Sequence, residues 1–156
     1  MQTASSILAA CGGFLLAILW MDLMFDVQVL RSRRQGPELP EPVLASIAAY
    51  YRRVTTEASP MGHLVAVVMA IMLITLAVQI AVGLGPRWLA LASLPLCGGP
   101  ILLGFGRVVP NAIRLATRRD PVLQQSALAR SICREHLLCF AGILAFVALQ
   151  ISAATR

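Results

Sequence analysis

Lysine is absent from this chain of 156 residues, the acids number only seven, and charged residues of every kind make up 13%. A soluble domain carries roughly 25% charged and about 45–50% apolar residues. Here the apolar share is 58% and the mean hydropathy +0.79. The shortage of charge excludes a soluble globular domain and a disordered chain, and nothing in the composition is collagen-like. Cysteine is scarce as well. Cys11, Cys97, Cys133 and Cys139 include no C-x-x-C pair, which argues against a disulfide framework or a thiol redox motif and for small packing residues. Also missing are G-x-S-x-G, H-E-x-x-H and a glycine-rich phosphate loop, so soluble-type active sites are excluded.

What is there comes in blocks. Ile7–Phe25, Leu64–Leu84, Trp88–Gly106 and Leu137–Ala154 are charge-poor runs of 18–21 residues, broken only by Asp22. About 20 residues are needed for a helix to cross a core of roughly 30 Å. The expected fold is therefore all-α: one integral membrane domain over 1–156, an up-down-up-down bundle of four transmembrane helices. The spans fall at about 5–30, 60–83, 88–117 and 121–154, and helix four projects into the cytosol. All thirteen basic residues are arginine, and eleven lie in the two long connections; only Arg87 and Arg156 fall on the other side. The positive-inside rule then makes those connections cytosolic and both termini external, as in a plasma (inner) membrane protein. The net charge of +6 becomes an orientation signal and a match to anionic inner-leaflet lipid, with no nucleic-acid partner implied. The first run has no basic segment before it and is long enough to span, so it reads as a retained helix rather than a signal peptide.

Within this plan, Gln35–Pro42 carries three prolines and breaks the chain after helix one. From Val43 to Glu57, the residues Val43, Leu44, Ile47, Tyr50, Tyr51 and Val54 recur at helical spacing beside Arg52 and Arg53. A short helix lying on the inner leaflet over 43–57 and a plain connector both fit. Ser59-Pro60 and Asp120-Pro121 read as N-cap and first-turn pairs. Helix three, with Pro95, Gly98, Gly99, Pro100, Gly104 and Gly106, is expected to kink or to admit another backbone closely.

Converting position into depth gathers the polar residues into one slab. At 1.5 Å per residue, Asp22 lies roughly 22 Å below Ile7, about 7 Å short of the inner edge. Asp26, His63, Arg107 and His136 fall near the same level, and Glu57, Asn111, Arg114 and Glu135 just beyond it. Asp22 and Asp26 share a helix face, as do Arg107, Asn111 and Arg114. One reading pairs the two acids with the arginines in an ion network. A second ligates haem b through His63 and His136 on diagonal helices, with arginines for the propionates. A third joins His63, His136, Asp22, Asp26 and Glu57 or Glu135 around iron, manganese or zinc, although the bundle signature Glu-x-x-His is absent. A fourth binds an anionic amphiphile, with Arg107, Asn111, Arg114, Asp22 and Asp26 at the ligand and helix three against its tail. The functional expectation is a small polytopic membrane protein whose cytosol-facing Asp/His/Arg slab binds an amphiphilic ligand or a metal-containing cofactor. A non-catalytic accessory subunit of a membrane complex is the rival class, with a homo-oligomer or a larger membrane complex as the candidate assembly; a channel or carrier ranks last because no broken-helix repeat is visible.

Three short pieces add a resemblance: Arg31 after helix one, Glu57-Ala-Ser-Pro60 at the start of helix two, and Gly106-Arg107-Val-Val with Ala112-Ile113 at the exit of helix three. With four spans and a basic first cytosolic loop, the chain resembles the membrane-associated eicosanoid and glutathione metabolism proteins, trimers that bind glutathione and a lipid. The resemblance implies a lipid- or thiol-modifying enzyme with Arg31, Glu57 and Arg107 as thiol-cofactor contacts. The chain departs from that family's pattern at Val54, Pro110 and Arg114 and in having Asp22, Asp26, His63 and His136.

Overall fold

Long apolar runs with few breakers have one way to satisfy their backbone away from water, and they take it: every regular element among the described residues is helical. The structure is a computed structural model that describes residues 2–32, 36–57 and 59–154. Two of the eleven arginines of the connections, Arg33 and Arg34, lie outside the described residues, as do Gln35, Ala58, Arg156 and the Ser59 side chain. The helices are α1 (Gln2–Asp26), α2 (Gln28–Arg31), α3 (Glu41–Arg52), α4 (Ser59–Ala81), α5 (Arg87–Leu103), α6 (Val109–Thr117) and α7 (Val122–Ala154). Wider π-helical turns occupy Arg53–Glu57 and Gly104–Val108. The second follows Pro95 and Pro100 and joins α5 to α6 in one rod, so the expected irregularity of helix three takes the form of a local change of pitch. Four helical stretches are long and apolar enough to cross a membrane: Gln2–Arg31, Pro60–Ala81, Arg87–Thr117 and Val122–Ala154.

α1 packs against α4 and α7, and α5 packs against the same two helices. Two small residues set the closest approaches. A Cβ on Gly142 would lie 2.9 Å from the Pro100 ring and 3.3 Å from the Leu96 carbonyl, and one on Gly12 would lie 2.5 Å from a Val147 methyl. The α4–α5 link needs glycine for a different reason: Gly83 has φ +68°, which lets the Leu84 N–H close back on the Gln79 carbonyl at 2.9 Å.

Apolar side chains form two cores. One joins Leu8, Leu76, Cys97 and Phe146 with Leu15, Met72, Ile101 and Ile143. The other gathers Leu44, Ile47 and Tyr51 of α3 onto Val108, Ala112, Leu115, Ile132 and Cys133. The amphipathic stripe of α3 is thus turned to α6 and α7; periodicity shows that a helix has an apolar face but not what covers it. Much of α4 stays uncovered, with Leu64, Val67, Ile71, Ile74 and Val78 all exposed, as suits a lipid-facing helix.

One turn beyond Leu8, Leu76, Cys97 and Phe146 lie Ser5, Gln79, Ser93 and Gln150, a buried polar layer drawn from all four long helices. Gln150 Nε2 donates to Ser93 Oγ at 2.8 Å, while Ser5 Oγ, Gln79 Oε1 and Gln150 Oε1 have no hydrogen-bond partner among the described residues. Ser93→Ala should cost about 1–3 kcal/mol by orphaning the Gln150 amide, and adding Gln150→Leu should recover most of it. Unfolding of the two variants in detergent checks both values.

Candidate functional site

Between the two apolar cores sits a cluster of five polar side chains. Asp22 and Asp26, one turn apart on α1, face Tyr50 and Tyr51 of α3 and His136 of α7. His136 Nδ1 is 2.6 Å from Asp26 Oδ2, and its Nε2 is 3.8 Å from Asp22 Oδ2. The imidazole therefore stands between the two carboxylates. Tyr50 donates to Asp22 Oδ1 and Tyr51 to Asp26 Oδ1, each at 2.6 Å. Neighbouring tyrosines diverge by about 100° around α3, and the one-turn offset of the two acids lets both reach a carboxylate. Phe25 stacks on the Tyr50 ring, centroids 4.1 Å apart, and fixes its direction. Burial, reinforced by the adjacent carboxylates, holds both phenols far above the usual tyrosine range, so they remain O–H donors. Asp26 is completely buried, Tyr51 and His136 nearly so, and Asp22 opens slightly outward beside the half-buried Tyr50.

This arrangement revises the expected ion network. Depth brought the acids and arginines to one level, but the arginines point elsewhere around the helix axes. Arg107 reaches Glu135 at 3.3 Å, and the Ser131 hydroxyl donates to the same carboxylate oxygen. Arg114 grips Asp120 through two N–H donors at 2.8 and 2.9 Å, holding that carboxyl below its usual range. Arg118, in left-handed conformation at the end of α6, bonds Glu41 at 2.7 Å and lowers it likewise. Asn111 is partly buried on α6. Among the described residues no arginine is ion-paired with Asp22 or Asp26. His136 stands where the arginines were expected, and the two tyrosines, read from sequence as part of the apolar stripe of 43–57, complete the site. The available signal was that these are the only tyrosines in the chain and sit on the apolar stripe of 43–57.

The metal set does not assemble. Among the described residues no group of three or more His, Cys, Asp or Glu side chains is placed to hold a metal ion. Asp22 and Asp26 flank opposite nitrogens of His136 rather than converging with it on one point. Glu57 pairs with Arg52 at 3.5 Å, and His63 is exposed near the start of α4, unlike the buried His136 that haem ligation would match with it. Of the residues implied by the family resemblance, Glu57 and Arg107 are thus held by partners inside the chain.

A cleft of about 530 Å³ opens between residues 29–30 and the 127–138 stretch of α7, rather than along helix three. Leu30, Leu137 and Leu138 give it an apolar side, and Arg130, Ser131 and Arg134 a polar one. The Arg130 fork donates to the carbonyls of Pro37 and Gly36 at 2.6 and 2.8 Å, while its buried Nε has no partner among the described residues. Comparison with protein-family models, curated proteins and solved structures gives no match to this chain.

Proposed function

We propose that the chain is an integral membrane protein of the inner-membrane type that binds an amphiphilic ligand at its cytosolic polar end. In this reading the four long helices run up-down-up-down within one domain. Both termini lie outside, and the start of α7 projects into the cytosol together with the arginine-rich connections. The eleven-to-two division of arginines supports that orientation. The observation that carries the ligand is the cleft: at about 530 Å³ it falls within the range of small-molecule sites, and it sets leucines against arginines as a molecule with a tail and a head requires. The Asp22–His136–Asp26 cluster ties α1 to α7, the helix that carries most of the cleft lining. It gives the polar end a fixed shape.

The test is to purify the full chain in a mild detergent and weigh the intact assembly by native mass spectrometry. Retention of about one amphiphile per chain, lost when the cleft is filled by Ala127→Trp, is expected. Ligand-free protein, or retention unaffected by that substitution, would assign the polar end to docking a partner subunit instead.

A further inference from the structure

A cleft that takes an amphiphile could prefer a neutral, zwitterionic or charged head, and its side chains distinguish these. Every carboxylate of the chain outside the inter-core cluster, except Glu38, is matched to an arginine: Glu41 with Arg118, Glu57 with Arg52, Asp120 with Arg114 and Glu135 with Arg107. Arg130 and Arg134, which line the cleft, have no carboxylate partner among the described residues. They lie one turn apart on α7 and so share a face. The Glu135 carboxylate is turned to Arg107 and to Ser131, leaving the two cleft cations uncompensated.

Arg130 is also held in place. Its two terminal nitrogens are spent on the carbonyls of Gly36 and Pro37, which fix the plane of the guanidinium but do not neutralise it, and its buried Nε–H remains unused. Arg134 is exposed and free to close over a head from the other side. Leu137 and Leu138 follow on the next turn of α7, with Leu30 opposite, so the apolar wall begins where the charged pair ends. Such a wall runs toward the hydrocarbon from a cationic mouth, and it suits a lipid lying with its head at the inner interface.

Resting on the amphiphile-binding reading above, we infer that the ligand is an anionic lipid. Its phosphate or carboxylate head is bonded by Arg134 beside the fixed positive charge of Arg130, and its tail lies along Leu30, Leu137 and Leu138. A guanidinium serves this purpose better than an ammonium would, because it offers planar, directed donors and stays charged at every physiological pH. The site adds a specific contact to the general attraction between basic loops and an anionic leaflet.

The experiment is a lipid titration of the delipidated full chain in neutral detergent, read by native mass spectrometry. It uses phosphatidylglycerol, phosphatidylcholine with the same tails, and inorganic phosphate. Phosphatidylglycerol should bind at least tenfold more tightly than phosphatidylcholine, and inorganic phosphate should not compete at equal concentration. Arg134→Gln should remove roughly tenfold of that preference, as expected for one lost charge-assisted contact. Arg119→Gln, which removes the same charge outside the cleft, should leave it unchanged. Equal binding of the two lipids overturns the anionic assignment while leaving amphiphile binding intact; binding of neither overturns both. An equal loss in Arg119→Gln would reduce the effect to overall charge and overturn the site.

Discussion

Replacing His136 with leucine is expected to cost about 3–5 kcal/mol, because it removes the imidazole that Asp26 contacts at 2.6 Å in the interior and leaves that buried carboxyl short of a partner. Removing one member of a buried charged group is worse than removing all of it, since the survivors keep their desolvation cost without their partner. Asp26→Leu introduced together with His136→Leu should therefore recover part of the loss, even though it takes away a second polar contact. His136→Gln should fall between the wild type and leucine, because an amide can still donate to Asp26. Unfolding in mixed micelles, followed by helical circular dichroism, ranks the four proteins. A loss under about 1 kcal/mol for His136→Leu would mean that water or another cation serves the acids.

The second large effect belongs to a residue with no side chain. Gly142→Leu must place its Cβ 2.9 Å from the Pro100 ring and 3.3 Å from the Leu96 backbone oxygen. Neither obstacle can turn aside: one is a closed ring and the other is backbone. The helices have to part, at a cost of about 1–3 kcal/mol or more in overpacking. Gly98→Leu and Gly99→Leu provide the control. A Cβ at either position meets nothing within 4 Å, so both should fold as the wild type does, within about 0.5 kcal/mol. At Gly12 the obstacle is a Val147 methyl, which can move with its side chain, and the penalty should be intermediate.

Which parts of this molecule are legible in its sequence follows from what a helix reveals about itself. Run length and punctuation located four long apolar helices, with ends at Arg31, Ala81, Thr117 and Ala154 that lie within a few residues of those expected. Depth along each helix is equally accessible, at 1.5 Å per residue, and it drew attention to Asp22, Asp26 and His136, which the structure brings into contact. Azimuth is different. The i,i+4 spacing of Asp22 and Asp26 says that they share a face, but nothing in α1 says what that face meets. Arg107 and His136 were equally plausible partners by depth, and the turn of α7 that aims Glu135 at Arg107 is the same turn that aims His136 at the acids.

Tyr50 and Tyr51 were missed for a related reason. An amphipathic helix in a connection has the same pattern whether it rests on lipid or closes onto its own protein, and aromatic residues suit both places. Only the docking of α3 on α6 and α7 turns the phenols inward to the carboxylates. The buried layer of Ser5, Gln79, Ser93 and Gln150 left still less trace. Single serines and glutamines in apolar runs are ordinary, and their coincidence at one level needs the relative shift of four helices, which the link lengths alone do not determine.

The proposed ligand is an amphiphile seated in the cleft between residues 29–30 and 127–138. The most direct measurement is photo-crosslinking: a phosphatidylglycerol carrying a photoreactive group in its tail is added to the full chain in a bilayer, illuminated, and its adducts are mapped by peptide mass spectrometry. Adducts are expected to concentrate on Leu30, Leu137 and Leu138 and to be competed away by unlabelled phosphatidylglycerol. Adducts spread over the exposed face of α4, at Leu64, Val67, Ile71 and Ile74, with no competition, would contradict this placement.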